Sequence, residues 1–199
     1  MPTSADVLTA DFNRLATGAP PAPDKLDAAT RALLAEVPLR TQVLDIHCGT
    51  GALARELATK RGAKVTAIDI APRLIDTARL RTSQTLRVDY RVADIMALTP
   101  RGFDIAIAVD ALTDLPLAEI VDRMASAVVA GGKVLISDRF TARGLGSAPY
   151  NFLSAFTGER PTDEPLAYGP IRATLREVLP GVVVRRHLGW RYTAIWTKP

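Results

Sequence analysis

Short apolar runs alternate along the chain with segments whose apolar residues recur at helical spacing, and this alternation predicts a parallel sheet covered on both faces. Gln42 to Ile46 reads as a first strand and Gly51 to about Lys60 as a helix. Lys64 to Ile70 is a strand, Pro72 to Arg81 a helix with proline at a tolerated early position, and Leu86 to Ala93 a third strand. Phe103 to Val109 has the apolar continuity of a buried central strand. Pro116 to Val129 reads as a helix stopped by Gly131-Gly132, with Lys133 to Ser137 the next strand. Pro170 to Leu179 is a helix closed by Pro180-Gly181. Val182 to Leu188 and Arg191 to Thr197 are strands joined by Gly189-Trp190, a connection too short for a parallel crossover, so they form an antiparallel hairpin. The fold class is therefore α/β: a doubly wound, mostly parallel seven-stranded sheet with an antiparallel C-terminal hairpin.

Two stretches stand outside the alternation. Residues 1–38 form a helical preface, with one helix over Ala5 to Thr17 and a second from Asp24, as N-cap, to about Val37. Residues 139–169 lack clear periodicity, are rich in Gly, Pro, Ser and Thr, and hold Phe140, Tyr150, Phe152, Phe156 and Tyr168. A stretch of that length inside one domain reads as a binding loop or lid, the alternative being a surface excursion. The chain is read as a single domain: cap 1–38, core 40–138, loop 139–169, and last helix and hairpin 170–199.

The sharpest local feature is Val43-Leu44-Asp45-Ile46-His47-Cys48-Gly49-Thr50-Gly51-Ala52-Leu53-Ala54. An apolar strand ends in an acid, a glycine turn follows, and a helix opens at once. Glycine lets the backbone turn sharply and a ligand approach without a Cβ in the way, and the helix N-terminus offers free N–H groups to an anionic group. Further acids follow the same logic. Asp69 ends the second strand, Asp94 follows the third and Asp110 the fourth, so with Asp45 all four lie on the edge where open α/β sheets bind ligands.

As a set these segments resemble the class I S-adenosylmethionine-dependent methyltransferases. Val43 to Ala54 is similar to their first motif, Ala67-Ile68-Asp69-Ile70 to their ribose-binding strand end, Val92-Ala93-Asp94-Ile95 to their adenine-binding segment, and Ala130 to Ile136 to the turn and strand after the active site. The resemblance covers about residues 40–138 and implies S-adenosylmethionine as cofactor. It implies that Asp45 and the Gly49-Thr50-Gly51 backbone hold the methionine part. It further implies that Asp69 takes the ribose hydroxyls, Ile70 packs on adenine, Asp94 accepts from the adenine amino group beside the Ile95 backbone, and Val109 and Asp110 line the methyl-donor pocket. Phe12 would cap that pocket. His47 stands where the family's first motif glycine belongs, either pointing away or touching the cofactor or substrate.

Catalytic candidates are His47, Asp110, Asp138, Tyr150 and His187, with no ranking among them, and no metal is implied. Two other readings stay open. Gly49 to Ala54 also satisfies the G-x-G-x-x-A of a nicotinamide-dependent oxidoreductase, with Asp69 eighteen residues after Gly51. That fingerprint does not require the acid before the glycines, Asp94 or the hairpin. The second is a cofactor- or nucleotide-binding module without catalysis.

Charge and composition narrow the acceptor. The net charge is +4 at a sequence pI near 9.5, with 20 Arg to 5 Lys. Arg172, Arg176, Arg185, Arg186, Arg191 and Lys198 face one acid, Glu177, from Ile171 onward. Such a surface suits an anionic substrate or nucleic acid, or is simply solvated. Arg139, Arg143 and Arg160 in the irregular stretch are able to receive an anionic acceptor. Base-amine methyltransferases of the family carry Asn/Asp-Pro-Pro-Tyr/Phe where this chain reads Asp110-Ala111-Leu112-Thr113. The only cysteine, Cys48, sits in the glycine loop rather than beyond the fourth strand, and no acid after Glu177 completes a ribose-methylating Lys-Asp-Lys-Glu set. A small-molecule acceptor is expected, not nucleic acid. The N-terminus lacks a signal-peptide pattern, no apolar run suits a bilayer, and one cysteine makes no internal disulfide, so a cytoplasmic protein is expected.

Overall fold

The computed structural model describes residues 26–112, 116–140 and 167–199. The expected helix over Ala5 to Thr17 with Phe12, and the loop residues Tyr150, Arg143 and Arg160, lie outside the described residues. Helix α1 (Ala28–Leu34) leads into β1 (Gln42–Ile46), α2 (Ala52–Arg61), β2 (Lys64–Asp69), α3 (Pro72–Arg81) and β3 (Val88–Val92). After a single 3-10 turn come β4 (Phe103–Val109), α4 (Leu117–Ala127), β5 (Val128–Arg139), α5 (Tyr168–Val178), β6 (Val183–His187) and β7 (Arg191–Thr197). The seven strands lie in the order β3-β2-β1-β4-β5-β7-β6. β1 to β5 pair in parallel, while β7 pairs antiparallel with both β5 and β6. The strand order reverses between β1 and β4, and the crevice at their carboxyl ends is where such sheets bind ligands.

Alternate residues of each central strand enter different cores, because side chains point to opposite faces of a pleated strand. Val43, Val65, Ile105, Ile107 and Leu135 pack with Leu33, Leu57 and Ile75 of α1, α2 and α3. Leu44, Ile68, Ala106, Ala108 and Ile136 pack with Ile120, Met124 and Leu175 of α4 and α5. With both faces covered, the central strands read as continuous apolar runs. No helix among the described residues is long and apolar enough to cross a membrane.

Several boundaries differ from the sequence reading. The N-cap of α1 is Asp27, not Asp24: its carboxylate accepts from the Thr30 N–H at 2.9 Å and from the Thr30 hydroxyl at 2.7 Å. α2 begins after Gly51, and β2 and β3 end at Asp69 and Val92. The largest correction concerns Gly131-Gly132, which do not stop a helix. α4 ends at Ala127, and the β-branched pair Val128-Val129 already belongs to β5. The glycines serve strand packing: a Cβ on Gly132 would come within 2.8 Å of the Asp104 carbonyl, and Gly131 N–H donates to the Lys198 carbonyl at 2.9 Å. β5 also continues through Arg139 and α5 starts at Tyr168, so both ends of the stretch read as irregular belong to regular elements. The hairpin turn holds Leu188 as well as Gly189 and Trp190, the last two at φ +78° and +55°.

Candidate active site

β1 delivers Asp45 to the helix-covered face that carries α2, and the chain then turns through His47, Gly49 and Gly51. These three are left-handed, at φ +61°, +54° and +78°. Gly49 leaves open space where a Cβ would be, so the turn presents bare backbone. Gly51 is glycine for a second reason. The Tyr90 hydroxyl would lie 2.3 Å from a Cβ built there, a contact no side chain tolerates. Gly51 caps α2 with no side-chain hydrogen bond, which leaves first-turn N–H groups for a ligand.

Beneath this turn Asp45 is buried, and its Oδ2 has no hydrogen-bond partner. Burial, and then the neighbouring Asp69 carboxylate, push its pKa up to about 8. A buried carboxyl oxygen without a partner is costly, and a ligand ammonium or N–H would satisfy it. Cys48, beside both acids, is driven further toward the neutral thiol, chiefly by burial.

Asp69 ends β2 as expected, but it already has work in the fold. One carboxylate oxygen accepts from the Gly49 N–H and the other from the Ala71 N–H, both at 2.9 Å. It thereby fastens the glycine turn to the start of α3. Asp94 caps the 3-10 turn by accepting from Met96 N–H at 2.8 Å. Ile70 is half-buried at the β2 end, whereas the Ile95 side chain is committed to the core. All four strand-end acids thus share one edge, and each of Asp69 and Asp94 also supports the local backbone.

At the β4 end Val109 is half-buried and Asp110 is exposed in a left-handed conformation, φ +51°. Asp110 accepts from Arg191 Nη2 at 2.8 Å and lies 3.4 Å from Arg139 Nε. Asp138 is buried, with Oδ2 accepting from the N–H groups of Ala111 and Leu112 at 3.2 and 2.6 Å and Oδ1 from Arg139 N–H at 2.7 Å. These three bonds tie the β4 turn to β5. His187 stands opposite Arg191 in the hairpin, two strands from β5, with Nε2 2.8 Å from Thr193 Oγ1. Burial holds its pKa below the usual histidine value. The His47 Nε2 is buried without a hydrogen-bond partner, so no described side chain activates it.

The sequence reading missed Tyr90, which sits in mid-strand without motif, and Asp27 and Arg191. Arg191 is buried and bridges Asp110 to Asp27, whose oxygen is 3.4 Å from Arg191 Nε. Burial would raise the Asp27 pKa, but hydrogen bonds from Thr30 and the Arg191 charge outweigh it and hold the carboxyl below its ordinary value. Among the described residues no cluster of His, Cys, Asp and Glu is able to hold a metal ion.

Residues 43–132 match the model of a family described as a methyltransferase domain. A ubiquinone biosynthesis O-methyltransferase of Xylella fastidiosa (strain 9a5c) is 42% identical over 107 residues, covering 51% of this chain and 43% of that protein. The chain thus spans less than half of that relative's length. Phosphoethanolamine N-methyltransferase 2 of Haemonchus contortus, in complex with S-adenosyl-L-methionine, superposes at a TM-score of 0.68 with 18% identity, covering 85% of this chain and 52% of that one. A TehB-like SAM-dependent methyltransferase of Corynebacterium glutamicum superposes at 0.60 with 17% identity, covering 96% of each chain. At such identities the two structures share the fold.

Proposed function

Because residues 43–132 match a methyltransferase domain, we propose that this chain is a class I S-adenosylmethionine-dependent methyltransferase that transfers a methyl group from S-adenosylmethionine to an oxygen of a small-molecule acceptor. The observation that carries this reading is the open left-handed turn at Gly49 above a buried Asp45 whose Oδ2 has no partner, at the point where strand order reverses. These residues fit the cofactor: a bare backbone for its carboxylate end, and an acid for its ammonium. The choice of oxygen follows the O-methyltransferase relatives. When bound, S-adenosylmethionine supplies a methyl made electrophilic by its sulfonium.

The residues of this chain bind and align. The Gly49-Thr50-Gly51 backbone and the first turn of α2 receive the carboxylate end, while Asp45 pairs with the ammonium. Asp69 receives the ribose hydroxyls on the lone pairs left by Gly49 and Ala71, since a carboxylate offers about four. Ile70 packs against adenine, and the Asp94 oxygen left free by Met96 accepts from its amino group beside the Ile95 backbone. Val109 and Asp110 form the wall next to the methyl. His47 is a passenger of the turn.

The segment between Phe140 and Tyr168 forms the acceptor pocket, with the Phe12 region as its cap. In support, Phe140 and Tyr168 bring the two ends of the segment together, with ring centroids 5.3 Å apart. Alignment of the acceptor oxygen in line with the methyl supplies the larger share of the rate, up to about 7–11 kcal/mol in ideal cases. The proposed setting is the cytoplasm, in keeping with the free, buried thiol of Cys48.

Calorimetric titration of the full chain with S-adenosylhomocysteine and, separately, NAD tests the reading. Saturable binding of the first and none of the second is expected. Binding of NAD alone would return the chain to the oxidoreductase reading.

A further inference from the structure

The charged side chains at the carboxyl ends of β4 and β5 form a chain of alternating sign. It begins inside the protein, where Asp27 at the start of α1 lies 3.4 Å from Nε of Arg191, whose side chain is 6% exposed. Arg191 Nη2 then donates to Asp110 Oδ2 at 2.8 Å. Asp110 Oδ1 in turn lies 3.4 Å from Arg139 Nε, and here the chain reaches solvent, with Arg139 and Asp110 41% and 43% exposed. Arg139, Arg191 and His187 also occupy one register row across β5, β7 and β6. The outermost member of this alternation is a cation, so the partner that continues it is an anion.

We propose that Arg139 receives an anionic group of the methyl acceptor, with Asp110, held by Arg191, as the positioning residue that aims it. The inference rests on the methyltransferase reading above and names its substrate class: an acceptor bearing a carboxylate or similar acidic oxygen, not an amine. The Nε of Arg139 is buried against Asp110, which leaves the Nη fork as the part able to meet a ligand. A guanidinium fork matches a carboxylate in bidentate geometry. Asp110 is not placed by chance, since its left-handed backbone is fixed by its N–H donating to the Ser137 carbonyl at 3.0 Å. Nor does it attract a cationic acceptor, because two guanidinium groups already neutralise it, and an ammonium would meet Arg139 as a like charge. The location is the one an acceptor must use, because Asp110 closes β4 beside the crevice between β1 and β4.

A set of catechols matched in shape and differing in charge tests this: 3,4-dihydroxybenzoate, 3,4-dihydroxybenzamide and 3,4-dihydroxybenzylamine, each titrated into the full chain saturated with S-adenosylhomocysteine. The benzoate is expected to bind about ten- to hundredfold more tightly than the amide, the gain of a charge-assisted contact, and the amine most weakly. Arg139→Gln should abolish the benzoate advantage while S-adenosylhomocysteine affinity is retained. Asp110→Asn should reduce the benzoate-to-amide ratio, a readout that general loosening of the fold would not move selectively. If S-adenosylhomocysteine itself does not bind, the methyltransferase reading falls and takes this inference with it. If it binds but the benzoate has no advantage over the amide or does not bind, or if Arg139→Gln keeps the advantage, Arg139 is not the anion receptor and the inference alone is overturned.

Discussion

His47 carries a side chain at φ +61°, a conformation that costs a residue with a Cβ about 1–2 kcal/mol and glycine almost nothing. A glycine at this position, as in the first motif this segment resembles, would meet a backbone requirement, and the imidazole makes no hydrogen bond through Nε2 that would repay the strain. His47→Gly should therefore stabilise the protein by about 1 kcal/mol, raising the melting temperature by about 2–4 °C, with cofactor affinity retained or improved. Thermal melts and calorimetry check the two halves. Retained binding with lost turnover would instead place the imidazole in the chemistry. That a histidine replaced a glycine was plain in the sequence; that the site demands a left-handed residue needed the structure.

At the scale of elements, the glycine turn is shaped from two sides. Asp69 at the end of β2 holds the Gly49 N–H, and Tyr90 from β3 fills the space next to Gly51, its hydroxyl 3.0 Å from Thr82 Oγ1. The turn therefore depends on β1, β2, β3 and α3 being assembled. Gly51→Ala should be strongly destabilising, by about 2–4 kcal/mol, since it combines a positive φ with a clash against a buried ring. Denaturant unfolding measures it. Pairing the change with Tyr90→Ala should recover part of the loss, and no recovery would show that the clash is not what matters. The pattern of apolar positions located these elements well, yet it ended α4 two residues late. The helix runs into Val128-Val129 with no capping signal, and only pairing of Val128 with Phe103 decides where the strand begins.

For the molecule as a whole, the buried Asp45 makes stability depend on pH. Asp45, with its pKa raised from 3.8 to about 8, keeps its proton in the folded state over a range where the unfolded chain has lost it. The folded state binds more protons between those values, so the stabilisation is complete below about pH 4 and is lost as pH rises through about 8. Asp45→Asn keeps the shape without the titration. In ligand-free melts the variant should gain on the parent as pH is raised from about 5 to about 9. A constant difference across that range would mean that Asp45 stays ionised in the fold.

The fold class, the order of strands and helices, and the four acids on one edge were determined by the sequence alone, because side-chain period and turn chemistry are local properties that residues a few positions apart express together. Only the tertiary structure decided which polar and charged groups meet. Arg191 reaches Asp110 across 81 positions, and Thr30 reaches Ser137 across 107. The alignment of Arg139 with Arg191 and His187 depends on β7 entering antiparallel beside β5, with β6 beyond it. Likewise Asp138, equal in sequence to any other strand-end acid, is buried and accepts from three backbone N–H groups, whereas Asp110 remains at the surface between two arginines. Local pattern specifies elements, but the partner of a side chain is set by strand order and register, which arise only when distant segments pack.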